Sequence, residues 1–334
     1  MRIIAIANQK GGVGKTTTTV NLGAALAAKG KKVILMDLDP QAHLTTYLGI
    51  TPEEMEHSSY ELLSQTVDLA GSLLGVRENL QLLPANLNLA AAEQELVSVL
   101  GREVILRDAI EAYPDECDYI LIDCPPSLGL LTLNALCAAR ELFIPLQPHF
   151  LSLQGLSQLL ETVLLVHQRI NPELRLTGLL FCMYDSRTSL SGEIVGDIKT
   201  FFTKQSQLDN PWKDIRIFQT RVRGNIKLAE SPSYGQTILE YAPGCHGAED
   251  YQALAGEVEG MVGEAEPEIT ESEKAALTEP ASSGASEGAE EAGAVEESAK
   301  PIRMAPAQAI DAPSSAEGEK EPPQEIRREE IESV

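Results

Sequence analysis

Short, nearly continuous apolar runs recur along the chain, and each has the length of a buried strand. These runs cover residues 3–7, 31–37, 80–84, 119–123, 142–146 and 174–183. Segments with helical character separate or follow them, at 17–29, 88–100, 104–113, 151–170 and 190–203, with a last helix that ends near 262. Apolar strands that alternate with helices are typical of a parallel sheet covered on both faces. The pattern therefore predicts an α/β fold with a doubly wound, mostly parallel sheet.

The composition supports one sizeable core, because 43% of the residues are apolar. Only 4% are aromatic, so Leu, Ile, Val and Ala must fill that core. The five cysteines form no C-x-x-C pair, which favours reduced thiols in a cytosolic protein. No apolar run reaches the roughly 18 residues that a membrane span needs, and the N-terminus enters a strand directly. We therefore expect a cytoplasmic protein with no signal peptide and no membrane partner.

The net charge of −24 is divided between two unlike parts of the chain. From residue 264 onward there are 19 acidic and 6 basic residues, and Glu, Ala, Ser, Pro and Gly dominate. Such a segment cannot bury enough surface to offset its ordering entropy. We predict a disordered acidic tail at 263–334 after a folded domain at 1–262. Because the folded part is also net acidic, any contact with DNA must come from a local basic patch.

A glycine-rich stretch, NQKGGVGKTT at residues 8–17, joins the first predicted strand to the first predicted helix. Glycines let backbone N–H groups approach phosphate oxygens, and the helix N-terminus adds positive potential. In such a loop Lys15 reaches the β- and γ-phosphates and the Thr16 hydroxyl binds Mg²⁺. The spacing departs from the usual P-loop, because Gln9 replaces the first glycine and a second lysine, Lys10, follows it. The bland alternative is a glycine-rich turn with two solvated lysines, which the surrounding strand, helix and acidic motifs disfavour.

Aspartates mark the ends of two predicted strands. Asp37 ends the second strand, Asp39 follows two residues later, and Asp123 ends the strand at 119–123. Ligands of open α/β sheets bind at the carboxyl ends of the strands, so these acids should lie near the phosphates. An acid at the position of Asp123 holds Mg²⁺ in P-loop proteins. The alternatives are an ordinary Asp-x-Asp-Pro turn at 37–40 and a helix-capping carboxylate at Asp123.

Four separated motifs, in this order, carry a resemblance to a known family. They are KGGVGKTT at 10–17, DLDPQ at 37–41, LIDCPPS at 121–127 and GLLTLNAL at 129–136. The first resembles the deviant Walker A motif of the ParA/MinD ATPase family, and the next two resemble its acidic motifs. The fourth is similar to the ParA/Soj branch in particular. The resemblance covers about residues 1–262.

The resemblance implies a P-loop ATPase that hydrolyses ATP with Mg²⁺, and it assigns roles to individual residues. Nucleotide binding is assigned to Lys10, Gly11, Gly12, Val13, Gly14, Lys15, Thr16, Thr17 and Asp37, with Met183 and Asp185 near the adenine. Catalysis is assigned to Lys10, Lys15 and Asp39. Metal binding is assigned to Thr16, Asp37 and Asp123. In this scheme Asp39 positions the attacking water, and Lys10 reaches the phosphates of a second subunit.

In the same family, ATP joins two subunits into a homodimer that binds DNA non-specifically. The resemblance implies DNA contacts by Arg187, Arg223 and Lys227, and stimulation of hydrolysis by a ParB-like partner. The expected role is chromosome or plasmid partitioning by a nucleoid-associated protein. The sequence departs from the family at Arg223-Gly224-Asn225, where a Pro-Arg-Asn turn is usual.

Three other classes share the loop. A MinD-like positioning ATPase would need a C-terminal amphipathic helix with a basic face, and the acidic segment at 325–332 lacks one. A nitrogenase-type iron protein would need cysteines that bridge an iron–sulfur cluster, and Cys124 and Cys137 lack the expected glycine-rich flanks. The intact set of Lys15, Thr16, Asp39 and Asp123 argues against a non-hydrolysing structural protein. The sequence leaves the cargo open.

Overall fold

An eight-stranded sheet forms the centre of the fold, in a computed structural model that describes residues 1–114, 116–149, 152–185, 187, 189–206 and 208–261. The strands are β1 (Arg2–Ile6), β2 (Val33–Asp37), β3 (Leu74–Arg77), β4 (Leu80–Leu83), β5 (Tyr119–Asp123), β6 (Glu141–Leu146), β7 (Arg175–Tyr184) and β8 (Arg216–Arg223). Their order across the sheet is β3-β4-β2-β5-β1-β6-β7-β8. All neighbouring pairs are parallel except β3 and β4. The predicted mostly parallel α/β sheet is confirmed.

Twelve α-helices are described in these ranges. They are α1 (Lys15–Ala28), α2 (His43–Tyr47), α3 (Ser59–Leu63), α4 (Leu69–Ser72), α5 (Leu89–Glu95), α6 (Ile105–Glu111), α7 (Leu130–Ala138), α8 (Ser152–Arg169), α9 (Ser189–Gln205), α10 (Ile226–Glu230), α11 (Ile238–Tyr241) and α12 (His246–Gly260). Short 3₁₀ turns occur at Pro52–Glu54, Leu96–Ser98 and Ser231–Tyr234. Among these helices none is long and apolar enough to cross a membrane.

Both edges of the sheet differ from the sequence-based expectation. The strand β8 lies in a segment that reads as basic, because only Phe218 and Val222 of its eight residues are buried. At the other edge, β3 has four residues, none of them buried, and forms a short antiparallel pair with β4. Edge strands bury little surface and therefore lack a long apolar run.

The predicted helix at 88–100 ends earlier than expected, since α5 passes into the 3₁₀ turn Leu96–Ser98.

Alternate residues of each central strand enter different layers of the core. In β1, Ile3 and Ala5 belong to the apolar cluster on one face of the sheet, and Ile4 and Ile6 belong to the cluster on the other face. The second face is covered by α1 and α12, which pack against each other. Gly23 permits the close approach of α1, because a Cβ there would lie 2.5 Å from the Leu35 side chain.

The topology brings the acidic motifs to the glycine-rich loop. The strand β5 lies between β1 and β2, and Asp123 is paired in register with Ile6 on one side and with Asp37 on the other. The loop between β1 and α1 leaves the sheet at this same edge. One strand end therefore gathers three motifs that are separated by up to about a hundred residues. The predicted acidic tail at 263–334 lies outside the described residues, so the division into 1–262 and 263–334 stays a prediction.

Candidate nucleotide site

The glycine-rich loop is built as an anion cradle. Gly12 and Gly14 have positive φ angles of 71° and 96°, a conformation that side chains rarely adopt. A Cβ added at Gly11 or Gly12 would meet no atom within 4 Å, so this backbone faces open space. The helix α1 starts directly after Gly14 with no side-chain cap and no acid in its first turn. Its N-terminal N–H groups and positive dipole end are therefore available to an anion. Val13 is fully buried and anchors the loop.

Lys15 is held inside the protein with carboxyl groups near it. Its side chain is only 7% exposed, and its Nζ donates to the Lys10 carbonyl at 3.4 Å. Burial lowers the pKa of the Lys15 ammonium, whereas the charges of Asp123 and Asp39 act in the opposite direction. A buried cation is costly unless it is paired with an anion. The position therefore suits a phosphate group.

Asp123 is tied to the first turns of α1. Its Oδ2 accepts a 2.6 Å hydrogen bond from the Thr16 hydroxyl, and its Oδ1 accepts one of 3.2 Å from the Thr19 hydroxyl. Burial raises the pKa of Asp123 to about 8, and the neighbouring Asp37 adds to the shift. Burial therefore favours the neutral form of this carboxyl group in the ligand-free protein. A cation bound here would favour the charged carboxylate instead.

The oxygen atoms of Thr16 and Asp123 suit a Mg²⁺ ion that is bound together with a nucleotide, rather than a metal ion held by protein ligands alone. Within the described part of the chain, no three His, Cys, Asp or Glu side chains are placed to hold a metal ion. Mg²⁺ is usually held by one or two carboxylates together with waters and substrate phosphates. Thr16 and Asp123 offer this incomplete set of ligands beside the cradle.

Asp37 makes its hydrogen bonds to groups of the protein itself. It is fully buried, and its Oδ2 accepts from the Thr45 backbone N–H at 2.9 Å and the Thr45 hydroxyl at 2.7 Å. Its Oδ1 accepts from the Asp39 N–H at 3.1 Å. Burial raises its pKa to about 6. Asp37 therefore fixes the loop that carries Asp39, and its predicted place in the Mg²⁺ shell stays a prediction.

A cavity of about 570 Å³ opens beside the cradle. It is lined by Gly11, Gly12, Gly14, Lys15, Thr16, Thr17, Asp39, Gln41, His43, Thr46, Tyr47, Pro126, Met183, Leu228, Ala229 and Pro232. Asp39 is 9% exposed, and its Oδ1 accepts from the Gln41 N–H at 3.0 Å. The volume lies within the range of ligand pockets, roughly 300–1,000 Å³. The cavity therefore joins the phosphate cradle to a larger compartment that could receive a base and a sugar.

The two predicted adenine contacts occupy different places. Met183 lines the cavity, is 40% exposed, and has a positive φ angle of 49°. Asp185 is outside the cavity lining and forms an ion pair with Arg187 at 2.8 Å. The predicted contact of Asp185 with adenine therefore stays a prediction.

Most of the cavity wall opposite the cradle was absent from the sequence-based site. Gln41, His43, Thr46 and Tyr47 come from the segment around α2, and Leu228, Ala229 and Pro232 come from the segment around α10. Among these residues only Gln41, the last residue of the DLDPQ motif, belongs to a motif that the sequence analysis singled out.

The predicted DNA-binding residues each face an acidic partner. Arg223 donates to Asp250 at 2.6 Å and to Glu249 at 3.2 Å, and Lys227 donates to Glu230 at 2.8 Å. Arg187 pairs with Asp185 and is 87% exposed in its side chain. The three positions are thus on the surface, but nearby carboxylates balance their charge. Their role in DNA binding stays a prediction.

A glycine-rich loop between a parallel strand and a helix, a buried lysine and two strand-end acids define a P-loop nucleotide-binding protein. Residues 1–176 match the family described as an AAA domain. The chain is 46% identical to the sporulation initiation inhibitor protein Soj of Bacillus subtilis over 77% of this chain and 98% of that protein. It is 44% identical to the chromosome partitioning protein ParA of Myxococcus xanthus over 77% of this chain and 87% of that protein. The chain therefore belongs to the ParA/Soj family of partitioning ATPases.

Solved structures agree with this assignment. Cobyrinic acid a,c-diamide synthase from Mycobacterium smegmatis, with bound ADP and magnesium, has a TM-score of 0.65 and 37% identity, and the match covers 77% of this chain and 94% of that one. A complex of an McdA variant from Cyanothece with ATP has a TM-score of 0.68 at 23% identity, with coverage of 78% and 96%. The similarity to the McdA variant shows a shared fold and nothing more. The resemblance inferred from the four motifs is confirmed.

Proposed function

We propose that this protein is an ATP-dependent dimerising switch that binds DNA non-specifically and drives the partitioning of a chromosome or plasmid. The observation that carries the proposal is the buried Lys15 ammonium, which lies near Asp39 and Asp123 at the cradle of an open cavity. Relatives that are called chromosome partitioning proteins match over 77% of this chain. The nucleoid association of the protein is part of the same proposal.

ATP and Mg²⁺ are the ligands that the site fits. The N–H groups of the loop and the Lys15 ammonium would hold the phosphates, and Thr16 and Asp123 would hold the ion. The bound ion supplies positive charge to the phosphate oxygens. Asp39 is the carboxylate on the cavity wall, and it can orient a water molecule and accept a hydrogen bond from it. The ADP and magnesium bound to a structural relative support this choice of ligands.

Lys10 is the residue that we assign to the second subunit's nucleotide. Asn8 fixes the backbone of Lys10, because the Asn8 Oδ1 accepts the Lys10 N–H at 3.0 Å while the Asn8 Nδ2 donates to the Pro145 carbonyl at 2.7 Å. The half-buried side chain of Lys10 therefore starts from a rigid position beside the cradle. A lysine charge delivered across a dimer interface would stabilise negative charge that develops during phosphoryl transfer.

Binding to DNA would require the acidic partners of the predicted patch to be exchanged for phosphates. Arg187 and Lys227 are held by carboxylates on an exposed surface, where ion pairs contribute little, whereas Asp250, the partner of Arg223, is buried. A polyanion could therefore replace the partners of Arg187 and Lys227 at a modest cost. We further propose that a ParB-like partner stimulates hydrolysis and so releases the DNA.

Co-sedimentation with DNA, with and without ATP and at two salt concentrations, tests this function. The protein should pellet with DNA of any sequence when ATP is present, and less of it should pellet at the higher salt concentration. Binding to DNA that is equal with and without ATP would contradict the switch. Absence of binding under both conditions would leave an ATPase with a different cargo.

A further inference from the structure

One part of the cavity wall outside the cradle comes from a segment near the end of the described chain. We call residues 226–241 the roof segment; it contains α10, the 3₁₀ turn Ser231–Tyr234 and α11. Its residues Leu228, Ala229 and Pro232 line the cavity. Because these side chains are apolar, they cannot hold themselves to the polar cradle by hydrogen bonds. The position of the roof segment over the nucleotide site must therefore be set by other contacts.

A chain of buried hydrogen bonds joins the roof segment to α1. Asn21, in the second turn of α1, donates from Nδ2 to the Thr17 carbonyl at 2.8 Å and to the Tyr47 hydroxyl at 2.9 Å. Its Oδ1 accepts the backbone N–H of Ile238 at 2.7 Å. The Tyr47 hydroxyl is 2.8 Å from the Ser231 hydroxyl. Thr17 itself lines the cavity, so the chain runs from one wall of the site to the roof segment.

The chemistry of its ends fixes the orientation of the Asn21 amide. The Thr17 carbonyl can only accept and the Ile238 N–H can only donate, so the Asn21 amide has one orientation. The Tyr47 hydroxyl accepts from Asn21 and shares a second hydrogen bond with the Ser231 hydroxyl, in which either oxygen can be the donor. Asn21 and Ser231 have no exposed surface, and Tyr47 is 4% exposed. Removal of one member of such a buried chain leaves its partner without a hydrogen bond, and this unsatisfied buried group destabilises the folded protein.

The other contacts of the roof segment are weaker candidates for the same task. Arg77 pairs with Glu240 at 2.6 Å and donates to the Gly235 carbonyl at 2.9 Å, but its side chain is 32% exposed. Gly235 and Gly49 pack backbone against backbone, and a Cβ on Gly235 would lie 2.7 Å from the Gly49 Cα. This packing limits how close the two segments come, but it has no directional bond.

We propose that Asn21, Tyr47 and Ser231 form a positioning relay that holds the roof segment over the P-loop and so sets the affinity for nucleotide. The proposal rests on the ATP site proposed above. None of the three residues is assigned to the phosphates or to the metal ion. Tyr47 forms part of the cavity wall through its ring, whereas its hydroxyl is engaged in the relay.

The test compares two conservative changes of buried tyrosines whose hydroxyls contact the same helix, α1. Tyr47→Phe removes the hydroxyl at the centre of the relay. Tyr251→Phe is the matched control, because Tyr251 is 1% exposed and its hydroxyl contacts Thr18 of α1 at 3.2 Å, but it lies on α12 outside the roof segment. Both variants should melt at a lower temperature than the wild type. A merely structural role would make them alike in every other respect.

The readouts are the ATP-induced rise in melting temperature and the steady-state constants of ATP hydrolysis. Loss of the Tyr47 hydroxyl, which makes two buried hydrogen bonds, should weaken ATP binding by about three- to tenfold in Tyr47→Phe. The rise in melting temperature should shrink accordingly, and KM should increase by a larger factor than kcat decreases. Tyr251→Phe should keep the wild-type affinity for ATP.

A double variant checks that the two hydroxyls act as one link. Ser231→Ala should weaken ATP binding, and Tyr47→Phe with Ser231→Ala should be no weaker than Tyr47→Phe alone. Equal ATP affinity in Tyr47→Phe and Tyr251→Phe, or additive losses in the double variant, would overturn the relay. If the wild type itself bound no ATP, the proposed function would fail instead, so the two failures are distinct.

Discussion

The Thr16 hydroxyl donates a hydrogen bond of 2.6 Å to Asp123 Oδ2, although the two residues are 107 positions apart in the sequence. They meet because α1 starts at the end of the glycine-rich loop and β5 lies directly beside β1. Both residues are the proposed ligands of Mg²⁺. Binding of the ion must therefore replace this hydrogen bond and also the proton that burial keeps on Asp123, whose pKa is about 8. The geometry couples the binding of the ion to the release of a proton.

We expect the binding of Mg²⁺ and ATP to release up to about one proton at pH 7, which is below the raised pKa of Asp123. The release should disappear as the pH rises above about 8, because the carboxyl group is then already ionised. Calorimetry at pH 7 in two buffers with different ionisation enthalpies measures this number. Asp123→Asn should remove the contribution of this group. Equal binding enthalpies in both buffers for the wild type would show that Asp123 is charged before binding.

Lys15→Ala should abolish ATP binding. The substitution removes the buried ammonium that lines the cavity beside the cradle and would hold the phosphates. Titration calorimetry with ATP measures the effect. Lys204→Ala is the control, because Lys204 is an exposed lysine in the last turn of α9 and its loss should leave ATP binding like that of the wild type. Unchanged ATP affinity in Lys15→Ala would refute the assignment of the cradle.

Lys10→Ala should bind ATP as a monomer and fail to form the ATP-dependent dimer. The reason is that Lys15, rather than Lys10, is the buried charge of the subunit's own cradle. Light scattering with and without ATP reports the change in mass. A normal ATP-dependent doubling of the mass in this variant would contradict the role of Lys10 across the interface.

Asp39→Ala should bind ATP and dimerise, but it should hydrolyse ATP slowly. Loss of one group that positions the attacking water should raise the barrier by about 2–4 kcal/mol. Single-turnover measurement of phosphate release separates this effect from nucleotide binding. The protein should also stay on DNA longer, because the ATP state persists. Wild-type turnover would move the role to another group, and Asp37 is then the next carboxylate to test.

Charge reversal of Arg187, Arg223 and Lys227 together, each to Glu, should abolish DNA binding and leave ATP binding intact. If a dimer uses all six positions, the log–log salt dependence of wild-type binding should have a slope near −5, at about 0.9 for each phosphate contact. DNA binding followed by fluorescence anisotropy over a salt series gives this slope. Unchanged DNA binding in the triple variant would place the DNA surface elsewhere.

The ion pairs of the predicted DNA-binding residues also allow a substitution that should strengthen DNA binding rather than weaken it. Glu230→Gln should release Lys227, whose Nζ now donates to Glu230 Oε2 at 2.8 Å, and DNA binding should become tighter. Glu173→Gln is the control, since Glu173 pairs with Arg140 on an exposed surface outside the predicted patch. If Glu230→Gln bound DNA no better than Glu173→Gln, Lys227 would not be a phosphate contact.

The sequence alone was enough to predict the central strands, the cradle and the places of the strand-end carboxylates. These features are local: an apolar run of strand length, a contiguous loop and an acid at the end of a strand each occupy a few adjacent residues. The parallel arrangement of the sheet followed from the alternation of strands and helices, and it put Asp37 and Asp123 at one edge. Four such motifs in order were also enough to identify the family.

The surroundings of the cradle depend on contacts between residues that are far apart in the sequence. Tyr47 and Ser231 are 184 positions apart, and Asn21 and Ile238 are 217 apart, so no local pattern could join them. Apolar residues such as Leu228 and Pro232 become the wall of a nucleotide cavity only when the chain folds back over α1. In the same way, the sequence alone suggests that Arg223 is open to an anion, whereas in the structure it pairs with Asp250. The hydrogen-bond and ion-pair partners of a side chain, and its burial, depend on residues that are distant in the sequence. No local pattern of adjacent residues therefore reveals them.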